Sequence, residues 1–190
     1  MTASNLPPAT QDPARRQPPP VDWTRVQRVH VMGICGSAMG AFAGMLRTRG
    51  FEVRGSDKGA YPPMSTRLEE QGVHIYEGYR AENLDWNPDV VVVGNVMRPD
   101  YPEAVSLRER GLPACSLPQA LAALFISGRH SVVVTGTHGK TTTSSMVAWL
   151  LHEAGLDPGF MIGGITGGFG TNNRVSEGSV FVVEGDEYDT

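Results

Sequence analysis

The sequence predicts an α/β protein built on parallel sheets. Three features carry that expectation: short β-branched runs alternating with helix-period segments, a glycine-rich turn where the first strand meets the first helix, and a second such turn later in the chain. Alternation is diagnostic because parallel neighbours need a crossover connection, most often a helix.

Strands are expected at 28–34 (RVHVMGI), 51–57 (FEVRGSD), 73–78 (VHIYEG), 89–95 (DVVVVGN) and 112–116 (LPACS). Between them Met39, Phe42, Ala43 and Leu46 recur at the spacing of one helix face; Leu68 ends a second helix, and Ala104 and Leu107 mark one in the fourth connection. These elements make a Rossmann-like domain over residues 23–127. A second start follows: a buried strand at 130–136 (HSVVVTG), a helix at 141–155 closed by Gly155, a glycine-rich passage at 159–174 and a strand at 179–189. A strand, a helix and a strand do not close a doubly wound sheet. Residues 128–190 are therefore expected to open a P-loop ATPase-type α/β domain whose remainder lies outside this chain. Residues 1–22, rich in proline and polar side chains, are expected to be a disordered tail.

Of the 190 residues, 40% are hydrophobic and 19% charged, the composition of an ordinary globular protein. A net charge of -4 gives no basic footprint, so a nucleic-acid partner is not expected. Cys35 and Cys115 have no metal-ligand spacing between them, which favours reduced thiols and a cytoplasmic setting. No apolar run is long enough to span a bilayer, so no membrane partner is expected either.

The stretch VTGTHGKTTT (134–143) carries the chemistry. Gly136 and Gly139 let successive backbone N–H groups point into one concavity, where phosphate oxygens accept their hydrogen bonds. Lys140 brings a mobile positive charge to the outer phosphates, the Thr141 hydroxyl suits Mg²⁺, and the following helix adds its N-terminal dipole. Glu184, at the end of VFVVE and first of an acidic group with Asp186, Glu187 and Asp189, is the candidate metal ligand. In the first domain, GICGSAMG (33–40) occupies the place of a dinucleotide fingerprint, with Cys35 and Ala38 where that pattern has glycine. Gly33 and Gly36 still permit close approach to a diphosphate, and a nucleotide diphosphate other than NAD fits this turn better. Cys35 reads as a small residue packed in the turn. Asp57 either meets a ribose or base or caps a loop. YPPMST (61–66) and GNVM (94–97) stand at ligand-facing strand ends.

The shorter GTxGKT form of the loop, together with GICGSAMG, GSD, YPPMST, GNVM and EGDEYD in this order, resembles the Mur ligase family over nearly all of residues 28–189. The resemblance implies an ATP- and Mg²⁺-dependent amide ligase of peptidoglycan metabolism. Within the family it is similar to the branch that joins UDP-N-acetylmuramate to L-alanyl-γ-D-glutamyl-meso-diaminopimelate in recycling, with the L-alanine-adding branch as the alternative. On that resemblance Gly136, Thr137, His138, Gly139, Lys140, Thr141 and Thr142 hold ATP; Lys140 and Glu184 serve catalysis; and Thr141 and Glu184 place Mg²⁺. Gly33, Cys35, Gly36 and Ser37 face the UDP-sugar diphosphate, while Asp57 and Asn95 sit near the uridine or sugar. His138 is either a spacer or a substrate contact. Gly163, Gly164, Asn172 and Asn173 are candidates for the sugar-phosphate cleft. The family's later domains carry further catalytic groups, so these 190 residues alone are expected to bind UDP-sugar weakly and to show no turnover. Two other classes compete: a P-loop GTPase or kinase, which leaves the first domain unexplained, and a noncatalytic UDP-sugar sensor.

Overall fold

The computed structural model describes residues 21–185. Its first sheet is entirely parallel, with order β3-β2-β1-β4-β5. The strands are β1 (Arg28–Met32), β2 (Glu52–Asp57), β3 (His74–Glu77), β4 (Val90–Val93) and β5 (Ala114–Ser116). Helices α1 (Ser37–Thr48), α2 (Met64–Glu70) and α3 (Pro102–Arg110) make three of the crossovers, and a short 3-10 turn at Ala81–Leu84 lies in the fourth. Each strand is shorter than the sequence suggests: β1, β3 and β4 lose residues at the C-terminal end to turns, whereas β2 and β5 end where expected and begin one or two residues later. Residues 94–97, read as the close of the fourth strand, form one such turn, in which the Met97 amide donates to the Gly94 carbonyl at 3.1 Å.

Val29, Val31, Val90 and Val92, all fully buried, form the core with one face of α1, where Phe42, Ala43 and Leu46 are also sealed from water. Burying side chains of this size supplies about 1.5–3 kcal/mol each. Small residues set how closely the layers approach: a Cβ on Gly40 would fall 2.4 Å from the Met64 sulfur, and one on Gly55 2.4 Å from the Val31 carbonyl oxygen. Beneath β1 sits a buried polar group. The Trp86 indole donates to His30 Nδ1 at 3.2 Å. An indole N–H can only donate, so the His30 proton resides on Nε2, which meets Glu103 Oε1 on α3 at 2.7 Å.

Two residues assigned to the tail from sequence, Val21 and Asp22, take part in the fold. Val21 packs against the core, and Asp22 Oδ1 accepts from the Thr24 amide at 3.2 Å to cap a 3-10 turn at Trp23–Arg25. Residues 1–20 lie outside the described residues.

After β5 comes a helix not anticipated from the sequence, α4 (Leu117–Leu121), with a capping box between Ser116 and Gln119; it runs into a π-helical turn at Ala122–Ile126. Phe125 in that turn packs edge-on against Phe42 of α1, with centroids 6.0 Å apart, and at 6.4 Å against Phe181 of the second sheet. This ring joins the two sheets. The second sheet has order β6-β9-β7-β8, from β6 (His130–Val134), β7 (Gly159–Met161), β8 (Asn173–Arg174) and β9 (Val180–Glu184), with α5 (Lys140–Glu153) between β6 and β7. The sheet is parallel except for the β7–β8 pair. The strand β6, expected from the sequence to be buried, lies among the described residues at the edge of the sheet. Among the described residues it pairs only with β9, and Val133 is 54% exposed. β7 and β8 lie in the passage read only as glycine-rich. No helix among the described residues is long and apolar enough to cross a membrane.

Candidate functional site

In the first sheet the order reverses between β1 and β4, and the turns after those strands bound a crevice at their C-terminal ends. After β1, Gly33 adopts φ +80°, open to glycine and strained for other residues. The amides of Gly33 and Ile34 donate to the Ser56 carbonyl at 2.8 and 3.1 Å, tying the turn to β2. Gly36 precedes α1 in an extended conformation and brings no side chain to cap it, so the first amides of the helix face the crevice mouth. All six residues predicted for the nucleotide-sugar, Gly33, Cys35, Gly36, Ser37, Asp57 and Asn95, line one cleft of about 700 Å³. Lys58, Tyr61, Val96 and Ser116 line it too. Tyr61 and Val96 belong to the stretches YPPMST and GNVM read as ligand-facing, whereas sequence reasoning missed Lys58 and Ser116, although the one directly follows and the other ends a predicted strand.

Asp57 Oδ2 accepts from the Cys35 amide at 2.8 Å and so caps the turn, from a position that also borders the cleft. Burial, and then the Asp57 charge, push the Cys35 thiol up to about 11, which keeps it protonated and inert and agrees with a packing role.

The second constellation stands at the C-terminal ends of β6 and β9. Gly136 at φ +144° and Gly139 at φ +78° make the turn that a run of ordinary residues resists, and α5 starts directly at Lys140. Gly136, Thr137, His138, Gly139 and Thr142 are exposed, with Lys140 and Thr141 half-buried. Lys140 Nζ donates to the Gly136 carbonyl at 2.9 Å, which holds the ammonium across the loop. Val134 and Glu184 are register partners on the paired strands, so the acid stands beside the base of the loop.

Glu184 and Thr141 converge at Gly163. A Cβ there would lie 2.9 Å from Glu184 Oε2 and 3.6 Å from Thr141 Oγ1, and one on Gly164 would lie 3.0 Å from the Thr141 methyl. Glu184 Oε1 is buried and has no hydrogen-bond partner, an expensive condition for a carboxylate unless a cation completes it. The described residues contain no cluster of three or more His, Cys, Asp or Glu. One carboxylate and one hydroxyl suit magnesium, which keeps several waters and takes phosphate oxygens for the rest of its shell. Asp186, Glu187 and Asp189 lie outside the described residues. Asn172 and Asn173 border a separate, smaller cleft with Gly40, Gly44 and Arg67, apart from the one that holds the glycine turn.

The profile of the Mur ligase family, catalytic domain, matches residues 28–129. The UDP-N-acetylmuramate--L-alanyl-gamma-D-glutamyl-meso-2,6-diaminoheptandioate ligase of Escherichia coli (strain K12) is 45% identical over 162 residues, 85% of this chain and 35% of that protein. The UDP-N-acetylmuramate--L-alanine ligase of Chelativorans sp. (strain BNC1) is 46% identical over 161 residues, 85% of this chain and 34% of that protein. The crystal structure of the UDP-N-acetylmuramate:L-alanyl-gamma-D-glutamyl-meso-diaminopimelate ligase from Neisseria meningitides superposes with a TM-score of 0.83 at 43% identity, covering 87% of this chain and 54% of that one. The chain thus spans about a third of the length of these curated relatives.

Proposed function

The chain belongs to the Mur ligase family, and on that premise we propose that it serves an ATP-dependent ligase joining the lactyl carboxylate of UDP-N-acetylmuramate to the amine of L-alanyl-γ-D-glutamyl-meso-diaminopimelate, in peptidoglycan recycling. The observation that carries this reading is the buried, unpartnered oxygen of Glu184, set with Thr141 beside a glycine-built phosphate loop. A carboxylate is too poor an electrophile for an amine. Phosphorylation by ATP solves this: carboxylate oxygen attacks the γ-phosphorus, ADP leaves, and the amine then displaces phosphate from the acyl phosphate.

The amides of residues 136–139 and the start of α5 bind the phosphates, with Thr142 in the first turn of the helix. Lys140, already at the loop's mouth through its contact with Gly136, stabilises charge on the phosphoryl group in transfer. Thr141 and Glu184 would hold magnesium, which when bound neutralises the charge that repels an anionic nucleophile. The cleft at residues 33–37 anchors the UDP moiety, with Asp57 fixing the turn and Asn95 on its far wall.

The tripeptide is favoured over free L-alanine by the stretches GICGSAMG and YPPMST and by the kinship with the Escherichia coli and Neisseria enzymes. The Chelativorans relative, equally similar in identity, supports the L-alanine alternative. Phosphate release from ATP by the full-length protein, with UDP-N-acetylmuramate plus either amine, separates them. Release that requires the tripeptide is expected. Dependence on L-alanine instead would move the protein to the other branch, and release independent of UDP-N-acetylmuramate would remove both.

A further inference from the structure

We infer that Lys58 makes the first cleft selective for a nucleoside diphosphate over the monophosphate or the bare nucleoside; this rests on reading that cleft as the nucleotide-sugar site. The cleft has two charged side chains in its lining, Asp57 and Lys58, consecutive at the end of β2. Because β1 lies between β2 and β4, the segment after β2 forms the wall on one side of the glycine turn and residues 94–96 the wall on the other.

The position of Asp57 creates the requirement. Its carboxylate is bonded to the Cys35 amide at 2.8 Å, and the amides of Gly33, Ile34 and Gly36 already donate to backbone carbonyls, so the turn that would receive a diphosphate carries a fixed negative charge and has its own amides largely committed. A second phosphate brought there increases like-charge repulsion in a partly desolvated cleft, where such repulsion is stronger than in water. The remaining amides and the start of α1 offset only part of it. Lys58 brings the lining to neutrality, and no carboxylate among the described residues forms an ion pair with it. Lysine suits such a position because its ammonium is a mobile charge on a flexible stem, able to follow either phosphate.

The test is calorimetric titration of the full-length protein, as wild type, Lys58→Gln and Lys58→Arg, with UDP, UMP and uridine. Lys58→Gln is expected to weaken UDP about ten-fold, UMP by a smaller factor and uridine not at all, so that the UDP-over-UMP preference contracts. Lys58→Arg is expected to stay near wild type. Equal weakening of all three ligands would reveal a structural role and overturn the inference, as would unchanged UDP affinity in Lys58→Gln. Failure of wild type to bind UDP or UDP-N-acetylmuramate would instead remove the reading of the cleft and the inference with it.

Discussion

Substituting Gly163 by alanine should separate folding from chemistry. The residue is exposed and its φ lies outside the left-handed region, so the backbone accepts a Cβ without strain. Lowered entropy of the unfolded chain then leaves stability unchanged or raised by about 0.4–1 kcal/mol. The new methyl would sit 2.9 Å from Glu184 Oε2, closer than real side chains tolerate, and the carboxylate, as the end of a flexible side chain, is what gives way. Relief requires roughly half an ångström of movement, and misplacement on that scale at a reacting centre costs about ten- to a hundred-fold in rate. Gly163→Ala in the full-length protein is therefore expected to keep its melting temperature while phosphate release falls by that factor, most severely at limiting magnesium. Glu184→Gln, which keeps the shape and removes the charge, should fall at least as far. Full activity in Gly163→Ala would refute the convergence of Glu184 and Thr141 on a metal; a large drop in melting temperature would refute the claim that only the carboxylate moves.

Three other outcomes are expected. Phe125→Ala, which empties the ring between Phe42 and Phe181, should destabilise by about 3–5 kcal/mol in urea denaturation monitored by circular dichroism. Cys35 and Cys115, each pushed up to about 11, should resist alkylation at pH 8, where roughly one thiol in a thousand is ionised, and react once the protein is denatured; Asp57→Asn should speed Cys35 alone, because burial is what protects Cys115. The Arg28 guanidinium, joined by the amides of Gln27 and Arg28, holds the Asp89 carboxyl below its usual 3.8. A depressed folded-state value means that its stabilisation is complete above the unfolded value and disappears as pH falls through the folded one. Asp89→Asn should accordingly cost about 1 kcal/mol at neutral pH, and the gap from wild type should close below about pH 3.8 in acid titrations of stability.

The first sheet is legible in the sequence because its strands are runs of buried valine separated by helices of clear period, and Met39, Phe42, Ala43 and Leu46 do face the core as their spacing implies. The phosphate loop is legible because glycine and lysine there answer to backbone geometry, which sequence records directly. Other features have no periodic signal. β8 is two residues long, and β7 begins at Gly159, kept small because a Cβ would strike the Phe181 ring at 2.8 Å. The short α4 disguises itself inside an apolar run that period alone cannot assign. The His30–Glu103 contact joins residues 73 apart in sequence, a pairing that only the parallel order of the sheet creates. Lys58 and Tyr61 stand in the cleft for the same reason: the turn after an adjacent strand brings them there.

The five-pair ladder between β6 and β9, prolonged by the Gly185 amide on the Val134 carbonyl at 2.9 Å, acts as a vernier for the reactive end of the molecule. Side chains alternate sides along a strand, so a slip of one notch would swing Glu184 to the opposite surface and leave the loop facing a valine. Removing a single residue inside either strand resets the scale. Alignment between acid and loop is thus inherited from backbone pairing, which makes the spacing of VVVTG and FVVEG a heritable measurement and not merely a hydrophobic filler.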